Sequence, residues 1–383
     1  MNTLEITKKF CEEMNKTNFR SIIVLFILVS ILAACTSTAT PQVVAEMTAV
    51  PAAPPTTAPT QPISTEEPTV PPPLSPTLEP VKLKVLVLPY LAYAPYFIAQ
   101  EEGLFAEQNL EVEFVRMDKS GESTPALAHG ELDVAADLLS VGTLNAIAQG
   151  SHIKLVADKG FLDPNGCTYA GWSARKDLME SGVLEDLKNV AGMKVALSVA
   201  STGEYFFDML LKDVGLSSED VELINASAPA RMEGLMTGGL DIVSGSEPWN
   251  TRIMNAGVGD NWIGYEDIFP NFPFSIMMYG PKLLEENREV GERFMVAFLK
   301  AVKIYSEGKT DRNVEIIAKY TELDPEEVKQ SCWQPIKLDG TINVQSILDF
   351  QDWAISKGYV ENAITVEQFW DPEFIEYAQQ QLK

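Results

Sequence analysis

Three tyrosines, Tyr90, Tyr93 and Tyr96, recur at every third position directly after Pro89. A tyrosine ring offers an apolar face for stacking and a hydroxyl for hydrogen bonding, so this segment suits the binding of a flat, polar-edged molecule. We predict that at least one of the three rings contacts a ligand. The alternative is that one or two of them only pack the first helix on a sheet.

Two acidic side chains lie in short polar segments further along the chain. Glu122 ends the segment from Asp118, and Asp137 begins the segment that runs to Ser140. Both carboxylates can fix the orientation of a bound molecule, and we predict both as ligand-binding residues. Asp137 could equally cap the helix that follows it.

Ser201 and Thr202 precede a helical pattern that starts near Glu204. Their hydroxyls and the free backbone N–H groups of the helix start could hold a hydrogen-bond acceptor or an anion. A plain helix cap uses the same residue types, so that alternative stays open. The segment lacks the lysine and glycine spacing of a phosphate-binding loop.

The segment Ser246, Glu247, Pro248, Trp249 combines a hydroxyl, a carboxylate and an indole ring. Glu247 can accept hydrogen bonds from amino or ring N–H groups, and Trp249 can cover an aromatic face. The alternative is a helix start with Pro248 in its first turn and Trp249 in the core, which the same residues would also fit. Aromatic rings with a carboxylate and little local positive charge predict a neutral or weakly basic nitrogen heterocycle as ligand.

Residues for catalysis or metal binding are sparse. The chain contains two histidines, His129 and His152, with no close Cys/His spacing and no triad motif. We therefore expect no catalytic site, no metal site and no cofactor. Cys167 and Cys332 could form a disulfide outside the cytoplasm, but the sequence alone leaves this pairing open.

One short motif occurs twice, as GELDVA from Gly130 and as GGLDIV from Gly238. Each copy places a glycine-ended helix before a short strand that begins near an aspartate. Strand and helix patterns alternate from Val81 onward, which predicts an α/β fold with mostly parallel sheets flanked by helices. The repeat predicts two lobes of similar build with a ligand cleft between them, lined at the carboxyl ends of the strands. A common helix-to-strand turn is the alternative explanation of the repeat.

The amino-terminal part has a different composition from the rest. Basic residues precede an apolar run, Ile22 to Ile31, that is too short for a stable membrane span and ends at Leu32-Ala33-Ala34-Cys35. Because this segment resembles a bacterial lipobox, we predict a lipoprotein signal peptide at 1–34 and lipidation of Cys35. A single-span anchor is the alternative, and both place the remainder outside the cytoplasm, tethered to the membrane.

Residues 35–80 are rich in proline and threonine and contain no lysine or arginine, which predicts an extended linker. We expect lobe 1 to comprise 81–159 and 275–383, and lobe 2 to comprise 160–274. The whole chain of 383 residues has 29 basic and 54 acidic residues and a net charge of −25, which argues against a nucleic-acid partner.

The run YFIAQEEGLFAEQNLEV, from Tyr96 to Val112, resembles the start of bacterial solute-binding proteins for sulfonates, nitrate and thiamine precursors. This group is called NMT1/THI5-like and includes proteins of the SsuA, TauA and ThiY type. The segments Leu187 to Val195 and Leu210 to Val221 and the paired G-x-L-D motifs also match its pattern.

The resemblance implies a periplasmic-binding-protein-like type II fold in a monomer that closes on a small molecule. Such a protein delivers its ligand to an ABC permease in the membrane. The related proteins suggest the thiamine pyrimidine precursor or a riboflavin-like vitamin as ligand. Alkanesulfonate, taurine or nitrate is the alternative, weakened by the absence of basic residues from Leu88 to Tyr96. A further alternative is an enzyme of the same fold that synthesises the pyrimidine.

Overall fold

The computed structural model describes residues 79–117 and 123–383. The predicted signal peptide, the lipidation site Cys35, nearly all of the predicted linker and Glu122 lie outside the described residues. Within the described part, every helix is too short or too polar to cross a membrane.

Ten strands in the described part form two five-stranded sheets, and each sheet is the centre of one lobe. Lobe 1 is built on the order β2-β1-β3-β10-β4, and lobe 2 on the order β7-β6-β8-β5-β9. The strand bounds are β1 Val81–Val87, β2 Leu110–Arg116, β3 Val134–Asp137, β4 Lys154–Phe161, β5 Ala170–Arg175, β6 Lys194–Leu197, β7 Glu222–Asn225, β8 Ile242–Ser246, β9 Gly259–Gly264 and β10 Pro273–Tyr279.

The two sheets have the same internal plan. In lobe 1, β2, β1 and β3 are parallel, and β10 runs antiparallel between β3 and β4. In lobe 2, β7, β6 and β8 are parallel, and β5 runs antiparallel between β8 and β9. Four strands of each sheet therefore share one direction, which confirms the prediction of mostly parallel sheets in two similar lobes.

Helices cover both sheets and carry much of the buried aromatic surface. In lobe 1, Phe105, Phe294 and Phe298 are fully or almost fully buried, and in lobe 2 Phe206 and Phe207 are. The helix bounds are α1 Ala94–Glu101, α2 Leu104–Glu107, α3 Ser123–Ala128, α4 Val141–Ala148, α5 Lys176–Ser181, α6 Thr202–Lys212, α7 Ala228–Met236, α8 Trp249–Asn255, α9 Arg288–Tyr305, α10 Asp311–Thr321, α11 Pro325–Gln330, α12 Val344–Ser356, α13 Val366–Phe369 and α14 Glu373–Gln381.

The repeated motif makes the same hydrogen bonds in both lobes. Asp133 Oδ2 accepts from the backbone N–H of Lys84 at 2.8 Å, and Asp241 Oδ2 accepts from that of Lys194 at 2.9 Å. In return, the N–H of each aspartate donates to the carbonyl of the same lysine, at 2.9 Å in both lobes. The aspartate therefore joins the third parallel strand of each sheet to the first.

A cation at the end of the reversed strand, or just after it, completes each copy. The ammonium of Lys282, just after β10, lies 3.1 Å from Asp133, and Arg175 Nη1, at the end of β5, lies 2.9 Å from Asp241. We call this arrangement of aspartate, backbone N–H and cation the aspartate clip. Its recurrence explains why the sequence contains the motif twice.

Two chain segments cross between the lobes, 162–169 after β4 and 265–272 after β9. They pair with each other, because Leu162 N–H donates to Phe272 at 3.0 Å and Asn271 N–H donates to Leu162 at 2.7 Å. Cys167 of the first crossing is bonded to Cys332, with 5.8 Å between their Cα atoms. The sequence left this disulfide open, and the structure forms it beside the crossing.

The carboxy-terminal part packs mainly on lobe 1 and also reaches lobe 2. Helix α9 packs against α1 and α14. Beyond it, Trp353 Nε1 of α12 donates to Asp208 at 2.8 Å, and the Tyr359 hydroxyl donates to Glu204 at 3.0 Å, both acceptors lying in lobe 2. Because Asn145 of lobe 1 donates to the carbonyl of Tyr359 at 2.9 Å, this segment links the two lobes.

The aspartate clips predict a matched loss of stability in the two lobes. Replacing Asp133 or Asp241 by alanine removes a charged acceptor from a backbone N–H and from a cation. We expect Asp133→Ala and Asp241→Ala each to lower the free energy of unfolding by about 1–3 kcal/mol. Urea unfolding followed by circular dichroism measures this, with Glu233→Ala, on an exposed face of α7, as control. Losses no larger than that of the control would contradict the role of the clips.

Candidate ligand-binding site

A cavity of about 700 Å³ lies between the lobes, a volume typical of small-molecule sites. Lobe 1 contributes the turns after β1 and β3, and lobe 2 contributes the turns after β6, β7 and β8. Val141 N–H donates across the cleft to Ala200 at 3.1 Å, and Thr202 N–H donates to Leu139 at 3.4 Å. The lobes therefore touch beside the cavity.

Much of the cavity wall is aromatic and comes from both lobes. The rings are contributed by Tyr90, Tyr93, Tyr169, Trp249, Tyr265 and Phe274. Burial raises the pKa of the Tyr90 hydroxyl, and the neighbouring Trp249 partly opposes that rise. Since Tyr90 belongs to lobe 1 and Trp249 to lobe 2, the two predicted segments that carry them meet in the cleft.

The three predicted tyrosines have different environments. Tyr90 is half-buried at the cavity, and Tyr93 also lines it, although its hydroxyl is already engaged with the carbonyl of Ala136 at 2.5 Å. Tyr96 is fully buried and packs between Phe294 and Phe298, with ring centroids 6.0 and 5.6 Å apart. Tyr96 is thus corrected to a core residue: Tyr93 ends a 3-10 turn, whereas Tyr96 lies within α1 on the face that packs against α9.

Asp137 lines the cavity and is hydrogen-bonded within lobe 1. It accepts from the Ser123 hydroxyl at 3.1 Å and from the Leu138 N–H at 2.8 Å. The following helix, α4, is capped by Ser140, whose hydroxyl accepts from Thr143 N–H at 3.2 Å. The capping role that the sequence left open for Asp137 therefore belongs to Ser140.

Ser201 and Thr202 both line the cavity but differ in what their hydroxyls do. Ser201 caps α6, because its hydroxyl accepts from Gly203 N–H at 3.1 Å and donates to Ser198 at 2.7 Å. The Thr202 hydroxyl is buried and has no hydrogen-bond partner within the described structure. Thr202 is thus the one of the two whose hydroxyl makes no hydrogen bond among the described residues.

Glu247 is corrected from a ligand contact to a structural carboxylate. It is 2% exposed, lies outside the cavity wall, and accepts from the N–H and hydroxyl of Thr251 at 3.1 and 2.8 Å. It also accepts from Cys332 N–H at 3.2 Å, which joins lobe 2 to the carboxy-terminal segment. Burial raises its pKa. The neighbouring Ser246 and Trp249 do line the cavity.

Lys159 of β4 is a cavity residue that the sequence analysis missed. It is 1% exposed, its ammonium donates to the carbonyl of Ala92 at 3.1 Å, and it lies 3.7 Å from the Tyr93 ring centroid. Burial lowers its pKa to about 7, opposed by the nearby charges of Asp137 and Asp158. The adjacent charged residues Asp158 and Lys159 in the middle of a buried strand were the available signal.

Arg231 of α7 is the second missed cation. Its Nη1 donates to the carbonyl and hydroxyl of Ser244 at 3.1 and 2.9 Å, and its Nη2 donates to the Ser198 hydroxyl at 2.7 Å. The side chain lines the cavity, and burial lowers its pKa. With Lys159, it overturns the expectation of little positive charge near the ligand.

Gln334 adds an amide to the cavity wall. It is 1% exposed, and neither its amide nitrogen nor its amide oxygen has a partner in the described structure. A Cβ at residue 160 would lie 2.1 Å from its amide carbon, so Gly160 makes the approach of Gln334 possible. No pattern around Gln334 in the sequence indicated that it lies at this site.

Residues 77–320 match the model of a family described as the NMT1-like family. A similar curated protein is the 4-amino-5-hydroxymethyl-2-methylpyrimidine phosphate synthase THI13 of Saccharomyces cerevisiae, 28% identical over 159 residues, which are 40% of this chain and 43% of that one. A putative thiamine biosynthesis protein of Haemophilus influenzae is 27% identical over 154 residues, 40% of this chain and 46% of that one. The aligned part spans less than half of each relative.

Two solved structures share the fold. The periplasmic nitrate-binding protein NrtA from Synechocystis PCC 6803 has a TM-score of 0.66 at 16% identity, over 80% of this chain and 90% of that one. The ligand binding component of an ABC-type import system from Staphylococcus aureus has a TM-score of 0.65 at 17% identity, over 78% and 99%. Both carry the two-lobed fold of periplasmic binding proteins, which confirms the predicted fold class.

The buried Lys159 predicts a pH-dependent contribution to stability. Its pKa is about 7 in the folded protein against an ordinary 10.5, so between these values the unfolded chain binds the proton and the folded chain does not. The free energy of unfolding of the native protein should therefore rise with pH across this window relative to Lys159→Met, by at most roughly 1.4 kcal/mol per pH unit. Urea unfolding at a series of pH values tests this, with the exposed Lys188→Met as charge control. A difference that stays constant with pH would contradict the prediction.

Proposed function

Because the chain belongs to the NMT1-like family, we propose that it is an extracytoplasmic solute-binding protein that captures a small aromatic nitrogen heterocycle for an ABC importer. The observation that carries this proposal is the cavity between the lobes, with Tyr90 from one lobe and Trp249 from the other in its wall. A flat ring held between lobes buries both faces, and stacking on aromatic side chains adds about 0.5–1.5 kcal/mol beyond area burial.

The names of the curated relatives support a vitamin-related ring. They include a pyrimidine phosphate synthase and a thiamine biosynthesis protein. On this proposal the ligand is the thiamine pyrimidine precursor or a riboflavin-like molecule. Tyr90, Tyr93, Asp137, Thr202 and Trp249 contact it, together with Ser201 and Ser246, whereas Glu122 stays a sequence-based prediction.

A small oxyanion is the second candidate ligand. The donors around the cavity favour it: the buried guanidinium of Arg231 and the unpartnered hydroxyl of Thr202. Alkanesulfonate, taurine and nitrate belong to this class. The nitrate-binding protein NrtA has the same fold, a likeness that leaves the ligand of this chain open.

Binding without chemistry is proposed over catalysis, although several curated relatives are named as synthases. Among the described residues, the cavity wall contains no histidine and no free thiol: His129 and His152 are exposed elsewhere, and Cys167 and Cys332 are bonded to each other. Mass analysis of the ligand after incubation tests this point, since an enzyme would alter it.

The tether belongs to the same proposal. Lipid on Cys35 and the proline-rich linker would keep the binding lobes close to a permease in the membrane, with the lobes outside the cytoplasm. A monomer suffices for this role, because both walls of the cavity come from one chain.

The ligand class can be measured by isothermal titration calorimetry on the full chain in detergent. We expect 4-amino-5-hydroxymethyl-2-methylpyrimidine or riboflavin to bind, and Tyr90→Ala and Trp249→Ala each to weaken that binding about tenfold through lost stacking and burial. Tyr377→Ala, which removes a ring outside the cavity, is the control. Binding of taurine or nitrate with no response to either ring compound would support the oxyanion candidate instead.

Closure of the lobes predicts protection on both sides of the cleft. On addition of the ring compound that binds, backbone amides of Val141 in lobe 1 and Thr202 in lobe 2 should exchange hydrogen more slowly, because they donate across the cleft. Hydrogen-exchange mass spectrometry measures this, with peptides from α10 as internal reference. Protection confined to one lobe would argue against closure.

A further inference from the structure

Arg231 is a buried cation without an acidic partner in the described structure. Its side chain is nine-tenths buried, and no carboxylate lies within ion-pairing distance of it among the described residues. The ionisable groups close enough to affect it are the phenols of Tyr265 and Tyr90, which are uncharged at neutral pH. A buried charge is costly unless it is paired, and the described residues supply no counter-ion for this one.

The other charged side chains of the cavity wall are compensated. Lys159 lies near Asp137 and Asp158. Arg252 pairs with Glu327 at 2.5 Å between Nε and Oε1. Glu322 pairs with Arg116 at 3.0 Å. Arg231 therefore supplies the uncompensated positive charge of the described cavity.

The guanidinium of Arg231 also has free hydrogen-bonding capacity. It carries five N–H donors. Three of them are used, two on Ser244 and one on Ser198. Among the described residues the buried Nε–H has no partner, and the two serines hold the group in place. A planar guanidinium fixed in this way is suited to a planar anion such as a carboxylate.

We propose that Arg231 anchors an anionic substituent of the ligand, so that the captured molecule is an acidic aromatic heterocycle. This inference rests on the proposed function for the ring and narrows the ligand to a ring that carries an acidic group. The neutral pyrimidine and riboflavin should therefore bind more weakly than a ring acid. The ring packs against the aromatic wall to which Tyr90 and Trp249 contribute, and the anion supplies a counter-charge for Arg231. The inference accounts both for the hydrogen-bond donors of the cavity wall and for its aromatic rings.

Matched acids and amides test this assignment on the full chain in detergent. The probes are pyridine-3-carboxylate, pyrimidine-5-carboxylate and quinoxaline-2-carboxylate, each with its primary amide, and acetate and methanesulfonate as anions without a ring. Thermal denaturation identifies which probes stabilise the protein, and calorimetry gives their dissociation constants. We expect ring acids to bind, and their amides to bind at least about 30-fold more weakly, because an amide leaves the buried charge unpaired.

Three variants separate the role of Arg231 from a general loss of charge. Arg231→Met should weaken binding of the ring acid at least about 30-fold. Arg231→Lys keeps the positive charge but loses the planar, two-pronged guanidinium, so its affinity should lie between those of Arg231→Met and the native protein. Lys188→Met removes an exposed positive charge from the same lobe and should leave binding unchanged. Circular dichroism of each ligand-free variant reports whether lobe 2 keeps its fold; if Arg231→Met does not, Arg231→Lys and the acid–amide comparison carry the test.

The outcomes distinguish this inference from the function on which it rests. Equal binding of acid and amide, unchanged affinity in Arg231→Met, or the failure of every acid to bind overturns the anchor. Binding of neutral rings alone overturns the anchor and supports the ring-binding function. Binding of acetate or methanesulfonate alone, lost in Arg231→Met, supports the anchor and overturns the aromatic ligand.

Discussion

The double crossing of the chain between the lobes is the constraint on which the rest of the structure depends. The two crossing segments are hydrogen-bonded to each other at Leu162, Asn271 and Phe272, and the disulfide of Cys167 fastens the first of them to the carboxy-terminal segment. Both sheets consequently direct the turns after their parallel strands toward one cleft. Side chains far apart in sequence, such as Tyr90 and Trp249, become neighbours for this reason.

The aspartate clip shows that the two lobes are alike down to individual hydrogen bonds. Asp133 and Asp241 occupy the same position in sheets of the same strand order. Each binds a backbone N–H of the first parallel strand and a cation at or just after the end of the reversed strand. The clips lie at the start of β3 and β8, whereas the residues of the cavity follow the far ends of those strands. The clips therefore stabilise strand pairing at one edge of each sheet. The residues predicted to contact ligand lie at the opposite edge.

The sequence allowed the architecture to be predicted because alternating patterns and the repeated motif are local signals. Several of the predicted turns also contain residues that line the cavity between the lobes. The sequence could not show which side chains of those turns face the cavity. Tyr96 packs in the core, and Glu247 is buried and accepts hydrogen bonds from Thr251 and Cys332. Lys159 and Arg231 were missed because a strand lysine and a helix arginine are usually exposed.

The central claim is that one cleft holds an aromatic ring from two sides and meets its acidic group at a single buried cation. A crystal structure of the full chain with the ring acid that binds most tightly tests this directly. The account predicts the ring against Tyr90 and Trp249 in the cavity wall, with an acidic oxygen within hydrogen-bonding distance of the Arg231 guanidinium. A ligand bound outside the cleft, or one bound within it while Arg231 contacts only water, would contradict the account.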